Sequence, residues 1–171
     1  DPGFDWLYDL YMQSFPVHEQ RLRERQEGVL GHPEYHCDLL CQGETRVGLL
    51  MWWAGPGFRY VEHFAIAPQL RGQSWGSRAL REFLAEGDPV VLEIDPPEDP
   101  VSRRRKGFYE GLGFVSNPWP HIHPPYRLEF SGHALEVMTF PGGWDEGQYR
   151  RFARYLDETV MADRPQKVAG A

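Results

Sequence analysis

The segment from Tyr60 to Leu84 constrains the fold of this chain more than any other stretch. Tyr60–Ala67 is rich in aromatic and aliphatic residues, which predicts a β-strand that Pro68 ends. After a polar turn with two glycines, apolar residues recur at helical spacing, at Trp75, Leu80, Phe83 and Leu84. This order directs unpaired backbone N–H groups and the positive end of a helix dipole into the turn. The turn therefore favours an anion such as a pyrophosphate, although ordinary tight connections between a strand and a helix can have the same pattern.

The turn contains neither G-x-x-x-x-G-K-[ST] nor G-x-G-x-x-G, the two better-known phosphate-binding sequences. It resembles the acetyl-CoA-binding motif [RQ]-x-x-G-x-[GA] of the GCN5-related N-acetyltransferases, the GNAT family. In that motif an apolar residue of the preceding strand lies five positions before the Arg or Gln, as Ile66 does before Arg71, and Gly76 fills the last place. Ser74 departs from the motif, because most members have Gly there. A serine can still offer its N–H if its φ is not strongly positive.

A second motif supports the first. Residues 107–114 read G-F-Y-E-G-L-G-F and resemble the [FL]-Y-E-x-x-G-F run that GNAT proteins carry downstream of the first motif. Two motifs in this order are more specific than either alone, and the resemblance covers roughly residues 5–140. It implies an α/β (α+β) fold with helices flanking a mixed, mostly antiparallel central sheet. In this fold a parallel central pair of strands splays apart to admit CoA.

The remaining segments predict one domain over residues 1–171. Helices are expected at 5–14 with Asp5 as cap, at 18–27 and at 102–111, and a C-terminal helix at 145–161. Strands are expected at 35–41, 46–54, 89–95, from 114 and at 135–140, with 35–67 forming an antiparallel meander and 89–95 lying parallel to the central strand. The apolar face of the C-terminal helix should pack on the domain or on a second copy, which leaves a homodimer open. The tail 163–171 is predicted to be disordered.

Composition excludes several classes of protein. With 41% hydrophobic and 14% aromatic residues, the 171-residue chain should fold around a core. A net charge of −7 argues against nucleic acid and suits a cationic amine. No apolar run has the length of a membrane span and no signal peptide opens the chain, so we expect a cytoplasmic protein. Cys37 and Cys41 should lie on one face of a strand, roughly 13 Å apart. That distance is too great for a disulfide, and both are expected to be small buried residues.

The resemblance assigns acetyl-CoA as co-substrate. Backbone groups of Phe64, Ala65 and Ile66 would bind the pantetheine arm and the acetyl carbonyl. The amides that would hold the pyrophosphate are those of Arg71, Gly72, Gln73, Ser74, Trp75, Gly76 and Ser77. Ser102 lies seven residues before Tyr109, where many members have Asn, and could make a shorter version of that contact. Arg105 belongs to the basic run 103–106, which is either a solvated helix face or a contact with CoA phosphates.

Acyl transfer from a thioester to an amine needs a proton acceptor for the amine and a proton donor for the thiolate. By resemblance, Tyr109 is the general acid beside the CoA sulfur; the alternative is a tyrosine that only packs on the sheet. Glu62 is the candidate base, because some family members place a glutamate four residues before the position of Ile66. His63 is the second candidate and should face the opposite way if the strand is regular. A third possibility is that neither of the two residues is the base.

Two loops are expected to form the acceptor pocket, Phe15–Leu22 and the proline-rich segment 117–126, whose four prolines argue against a regular strand. The H-x-H pair His121 and His123 lacks a third metal ligand nearby, so we expect no metal. The predicted function is N-acetylation of a small-molecule or peptide amine, by direct attack in a ternary complex. The alternative is a GNAT-fold protein that binds acyl-CoA without turnover. Ser74 and Ser102 support that alternative, whereas Tyr109 and Glu62 speak against it.

Overall fold

A computed structural model describes residues 1–166, so the last five residues of the predicted tail lie outside the described part of the chain. The helices are α1 (Pro2–Ser14), α2 (Arg23–Val29), α3 (Trp75–Leu84), α4 (Pro100–Gly111) and α5 (Glu146–Tyr155). The strands are β1 (Tyr35–Gln42), β2 (Thr45–Gly55), β3 (Phe58–Ile66), β4 (Val90–Ile94), β5 (Val115–Ser116), β6 (Ile122–His123), β7 (His133–Ala134) and β8 (Glu136–Phe140). Short 3-10 turns cover Val17–Glu19 and Pro68–Leu70, and α5 continues as a π-helical turn over Leu156–Val160.

Six strands form the main sheet in the order β1-β2-β3-β4-β8-β5. Among the described strands, β3 and β4 form the parallel pair, and the other neighbours are antiparallel. The predicted meander and the parallel central pair are therefore confirmed, as is the fold class. The strands expected from 114 and at 135–140 are present as β5 and β8, which pair with each other. The expectation of no regular strand in 117–126 is wrong in one detail, because β6 forms a short ladder with β7.

The β3–β4 pairing is short, and β3 is irregular where the pairing ends. The last paired residues are Val61 and Leu92, beyond which β3 continues with a strand partner on the β2 side alone. At the same level, Trp52 of β2 lies opposite Val61 while the preceding residue of β2 lies opposite His63, so Glu62 is an extra, bulged residue. A bulge re-aims side chains and breaks the strict alternation of a strand. The prediction that Glu62 and His63 face opposite ways is therefore wrong.

Both side chains turn to the face of the sheet that α1 and α5 cover. Glu62 accepts a hydrogen bond from Trp53, a member of the core on that face. The His63 ring contacts Tyr11 and Phe15, with ring centroids 4.8 and 4.7 Å away. The opposite face carries a second core, formed with α3 and α4, whose buried members include Leu50, Val61, Leu80, Leu92 and Met138.

The C-terminal helix packs on this domain. Phe152, Leu156 and Val160 are buried in the same core as the α1 residues and the α1/α5 face of the sheet. Asp145 and Gln148 form a capping box at the start of α5, each bonding the backbone of the other.

Three details of the sequence prediction need correction. Helix α1 begins at Pro2 with Asp1 as its N-cap, so Asp5 lies inside the helix. The charged segment 18–27 is split, because α2 begins only at Arg23. Both cysteines are free, but Cys37 is half-buried and Cys41 is exposed, since the β1–β2 register shifts just before Cys41. No helix within residues 1–166 combines the length and the hydrophobicity needed to cross a membrane.

Replacement of Phe152 by Ala tests whether α5 is an integral part of the core. Phe152 is fully buried, and its ring lies 5.0 Å from that of Tyr60 in β3. Removing a buried aromatic side chain leaves a cavity, so we expect Phe152→Ala to lower the free energy of unfolding by about 3–5 kcal/mol in denaturant titrations. The control is Arg150→Ala on the exposed side of the helix, which should change it by at most about 0.5 kcal/mol. Equal effects of the two substitutions would contradict this packing.

Candidate active site

The separation of β3 and β4 opens a cavity of about 770 Å³. Its lining includes residues that the sequence assigned to acetyl-CoA or to the acid, namely Phe64, Ala65, Ile66, Arg71, Ser102, Arg105 and Tyr109. It also includes the candidate bases and the residues around them, namely Phe15, Glu19, Glu62, His63, Glu93, His123, Tyr126 and His133. The structure thus brings the two halves of the predicted site to a single cavity.

The residues from Gly72 to Ser77 do not line this cavity and lie at the surface beside it. Ser74 is the N-cap of α3, and the first helical hydrogen bond runs from the Arg78 N–H to its carbonyl. The N–H groups of Trp75–Ser77 therefore belong to the first turn of the helix, where a helix offers no internal partner. These three amides are therefore available to donate hydrogen bonds to a ligand at the start of α3.

Ser74 has a positive φ, the backbone conformation that the sequence analysis named as unfavourable for a serine at this position. Its φ is 66°, in the left-handed region, and Gly72 has a φ of 79°. Glycine adopts this region without a steric penalty, whereas a serine pays for its Cβ. The family's glycine at this position thus has a steric explanation, and Ser74 keeps the turn at the cost of local strain.

Gly76 lies where α3 approaches the sheet and α4. A Cβ added at this position would meet Phe64, Ile66 and Phe108 at 3.5–3.6 Å, which is ordinary contact. A larger side chain would have to extend past these neighbours. Arg71 is fixed nearby, because its Nε donates to the Ile66 carbonyl at the end of β3 over 3.0 Å.

Tyr109 lies in α4 with its ring against Phe108 and Phe114. Its hydroxyl makes no hydrogen bond to any of residues 1–166. Burial raises the pKa of Tyr109 to about 12, although Arg105 lowers it. The phenol is therefore protonated at neutral pH and has its proton free to donate.

Ser102 and Arg105 have partners within the protein. Ser102 donates both its N–H and its hydroxyl to the carboxylate of Asp99, over 2.8 Å each, and Asp99 thereby caps α4. The Ser102 hydroxyl can consequently only accept a further hydrogen bond. Arg105 is exposed and reaches Asp95 over 3.3 Å, so its guanidinium stays at the mouth of the cavity.

Glu62 has a fully buried side chain with three hydrogen-bond donors. Arg21 Nη1 and Trp53 Nε1 each donate to Oε1 over 2.9 Å, and the Tyr126 hydroxyl donates to Oε2 over 2.7 Å. Burial acts to raise the pKa of Glu62, but the Arg21 charge and the hydrogen bonds lower it to about 2. Glu62 is therefore ionised at neutral pH.

Arg21 is a site residue that the sequence analysis missed. Its side chain is 2% exposed, and Nη2 donates to the Val160 carbonyl over 2.8 Å. Its guanidinium also lies over the ring of Tyr126, 5.2 Å from the centroid. Arg21 occurs within a charged run that predicts a solvent-exposed helix, so no local signal marks it as buried.

His63 is buried, with Nε2 lying 2.9 Å from the Glu19 carbonyl. A carbonyl can only accept, so Nε2 carries the proton and Nδ1 has a free lone pair. Within the described part of the chain, this Nδ1 is buried and has no hydrogen-bond partner. Burial lowers the pKa of His63 to about 4, which makes the ring neutral at pH 7.

Glu93 follows the last residue of β4 that pairs with β3, at the level of Glu62 in the other strand. His121 Nε2 lies 2.6 Å from its Oε2, and the Tyr60 hydroxyl donates to its Oε1. His123 Nε2 lies 4.0 Å from the same Oε1. Burial acts to raise the pKa of Glu93, but His123 and His121 bring it below its ordinary value.

Both histidines of the H-x-H pair thus lie close to the Glu93 carboxylate, His121 within hydrogen-bond distance and His123 at 4.0 Å. His123 lines the cavity as the sequence analysis expected of this loop, whereas His121 lies behind it. Among residues 1–166, no group of three or more His, Cys, Asp or Glu side chains is arranged to hold a metal ion.

Comparison with known proteins gives a consistent result. A model of the acetyltransferase (GNAT) family matches residues 4–114. The Bacillus subtilis (strain 168) protein YjbC, to which an acetyltransferase activity is ascribed, is 23% identical over 105 residues, or 60% of this chain. That match spans about half of YjbC, 53% of its length.

Solved structures extend the similarity to nearly the whole chain. A Bacteroides thetaiotaomicron protein assigned to the GNAT family superposes with a TM-score of 0.88 at 26% identity, covering 93% of this chain and 92% of that one. A Bacillus subtilis acetyltransferase solved in complex with CoA gives a TM-score of 0.56 at 12% identity, covering 79% and 90%. The second similarity is one of fold alone.

The low pKa of His63 predicts a pH dependence of stability. Because the folded state binds fewer protons than the unfolded state between about pH 6.5 and pH 4, the contribution of His63 is present above this window and is lost as the pH falls through it. His63→Gln retains a donor for the Glu19 carbonyl but does not titrate. Between pH 6.5 and 4, the free energy of unfolding should fall by about 3 kcal/mol more in the wild type than in the variant, measured by denaturant titration. Parallel pH profiles would contradict a neutral, buried His63.

Proposed function

We propose, since the chain belongs to the acetyltransferase (GNAT) family, that it transfers an acetyl group from acetyl-CoA to a primary amine of a small molecule or peptide. The amine attacks directly within a ternary complex. The observation that carries this proposal is the cavity between β3 and β4, into which the Tyr109 side chain and buried carboxylates converge from opposite walls.

Acetyl-CoA would bind along the wall formed by β3 and α4. Among the described strands, β3 has no partner on its β4 side beyond Val61. Backbone groups of Phe64–Ile66, other than the Ile66 carbonyl to which Arg71 donates, are therefore available to the pantetheine arm and the acetyl carbonyl. The amides of Trp75–Ser77 would hold the pyrophosphate, assisted by the positive end of the α3 dipole. Arg71 and Arg105 supply positive charge on the two sides of the cavity entrance.

Tyr109 is the proposed acid. The amine lone pair forms a bond to the thioester carbonyl carbon, and the carbon–sulfur bond breaks as the tetrahedral intermediate collapses. The departing sulfur takes the phenolic proton of Tyr109, which solvent later replaces. The raised pKa keeps the phenol protonated at neutral pH, and its hydroxyl has no hydrogen-bond partner within residues 1–166 that competes for the proton.

The amine must lose a proton, and the pKa values decide where that proton can go. An alkylammonium with a pKa near 10 is neutral at pH 7 at a cost of about 4 kcal/mol when its proton goes to solvent. Leaving the proton on Glu62, with a pKa of about 2, would cost about 11 kcal/mol. The corresponding cost for His63 is about 8 kcal/mol. Glu62 and His63 are therefore proposed as bases that hold the amine proton only transiently, and solvent is its final acceptor.

A cationic amine is the proposed acceptor. Glu19, Glu93 and Asp95 line the cavity, and the chain as a whole is acidic. Opposite charges on protein and ligand favour encounter and orientation. The 3-10 turn Val17–Glu19 and the loop with His123 form the wall that such an amine would meet.

The test is calorimetry with acetyl-CoA, followed by release of free thiol in the presence of spermidine, kanamycin, a lysine-containing peptide and a peptide with a free N-terminal alanine. Binding together with thiol release for at least one amine is the expected result. Binding without release for any amine would instead favour an acyl-CoA-binding protein without turnover. Failure to bind acetyl-CoA would contradict both functions.

Replacement of Tyr109 by Phe tests the acid. The variant keeps the ring contacts with Phe108 and Phe114 but has no proton to donate, so kcat should fall by about 10²–10³ with unchanged acetyl-CoA affinity. Tyr155→Phe is the matched control, because Tyr155 donates to Glu34 away from the cavity. Wild-type turnover in Tyr109→Phe would exclude Tyr109 as the acid.

Replacement of Gly76 by Asp tests the anion-binding turn. The carboxylate would add bulk and negative charge beside the amides of Trp75–Ser77, and acetyl-CoA affinity measured by calorimetry should fall at least about 100-fold, or roughly 3 kcal/mol. Gly28→Asp is the control, since Gly28 lies in α2 with open space around its Cα. If a folded Gly76→Asp protein binds acetyl-CoA as tightly as the control, the pyrophosphate does not bind at this turn.

A further inference from the structure

Three side chains from three different elements connect the cavity with the protein surface. Glu93 of β4 lines the cavity, and its Oε2 lies 2.6 Å from His121 Nε2. The other ring nitrogen of His121 lies 2.8 Å from the hydroxyl of Tyr149 in α5. Glu93 and His121 are 6% and 2% exposed in their side chains, whereas Tyr149 is half-exposed.

We propose that Glu93, His121 and Tyr149 form a relay that carries the proton of the acceptor amine from the cavity to solvent. The proposal rests on the proposed function, which requires that this proton leave the site. It assigns a role in the reaction to three residues outside the two motifs that mark the family in this sequence.

The hydrogen-bond geometry gives the relay a direction. The Tyr149 hydroxyl also lies 3.2 Å from the Pro120 carbonyl, which can only accept. With its own proton donated there, the Tyr149 oxygen accepts from His121 Nδ1–H. A second proton lies between His121 Nε2 and the Glu93 carboxylate, because two lone pairs would repel each other at 2.6 Å.

The proton balance closes over these groups. One proton enters at the Glu93 carboxylate. The Tyr149 oxygen takes the proton of His121 Nδ1 while its own hydroxyl proton turns from the Pro120 carbonyl to a water molecule at the surface and is lost to it. The Glu93–His121 pair holds two protons before the transfer, one on Nδ1 and one between Nε2 and the carboxylate, and it holds two protons after it. Its net charge is zero in both states, so no uncompensated charge is left in the core during transfer.

A second set of contacts lies between Glu62 and Glu93. Tyr126 donates to Glu62 and has its oxygen 3.2 Å from His123 Nε2. That nitrogen lies 4.0 Å from Glu93 Oε1. His123 therefore lies between the two carboxylates at the point where β3 and β4 separate.

The competing explanation is that these hydrogen bonds only fasten the proline-rich loop to α5. The two explanations differ in one measurable respect, since a fastening role does not require the protons to exchange along the chain. Tests must therefore follow the protons themselves and not stability.

The first experiment measures exchange of the His121 ring N–H protons with water, by NMR of protein labelled with ¹⁵N-histidine. Tyr149→Phe removes the hydroxyl that leads to the surface, and exchange should slow at least tenfold. The control is Tyr155→Phe, on the same helix, which should leave the rate unchanged. Unchanged exchange in Tyr149→Phe would overturn the relay. Because this readout needs no turnover, it decides the relay even if the protein acetylates none of the amines.

The second experiment uses acetyl transfer to spermidine, or to kanamycin if spermidine is not accepted. His121→Ala should lower kcat about 10²–10⁴-fold while the KM for acetyl-CoA is unchanged. Added imidazole should restore turnover, whereas pyrazole, a ring of the same size but far weaker base, should not. Equal rescue by both rings would mean that His121 only fills space and would overturn the relay. His36→Ala, which removes a histidine stacked on Trp52, is the control and should show neither the loss nor the rescue.

Discussion

The buried ion pair between Arg21 and Glu62 is the interaction on which the α1/α5 side of the cavity depends. Arg21 lies in the segment between α1 and α2, and Glu62 lies in the bulge of β3. Arg21 also donates to the Val160 carbonyl, which lies at the end of the C-terminal helix. Trp53 and Tyr126 supply the remaining donors to Glu62. Loss of one partner of such a pair typically costs about 3–5 kcal/mol, because a buried charge is left uncompensated. The pair therefore connects three segments that are distant in the chain and fixes their positions beside the cavity.

The bulge and the end of the parallel pairing occur at the same level of the sheet, and their combination divides the site by function. Beyond Val61 and Leu92 the strands separate, and Glu62 and Glu93 both turn towards the face covered by α1 and α5. The groups proposed to handle the amine proton therefore lie on that face. The groups proposed to bind the CoA phosphates and to donate a proton to sulfur, Tyr109 among them, come from α3 and α4 on the other face. An amine and a thioester entering from these two sides would meet at the separation of the strands.

Much of this arrangement follows from local sequence pattern. The antiparallel meander, the parallel central pair and the helix that carries Tyr109 agree with expectation, because apolar periodicity and two short motifs indicate them. The features that the sequence did not indicate depend on tertiary contacts between segments that are distant in the chain. Arg21 is buried despite its charged neighbours, and the bulge at Glu62 breaks an alternation that looks regular in one strand alone. Glu93 meets His121 across 28 positions of chain, with no periodic signal in either segment.

The most direct test of the site is hydrogen–deuterium exchange of the backbone amides with and without saturating acetyl-CoA. Acetyl-CoA bound between the strands and at the start of α3 should protect the amides of Phe64–Ile66 and of Trp75–Ser77. The amides of β1, which lies at the far edge of the sheet, should exchange equally in both conditions. Exchange that is unchanged in both of the first two segments, under conditions where calorimetry shows binding, would mean that acetyl-CoA binds elsewhere on this protein.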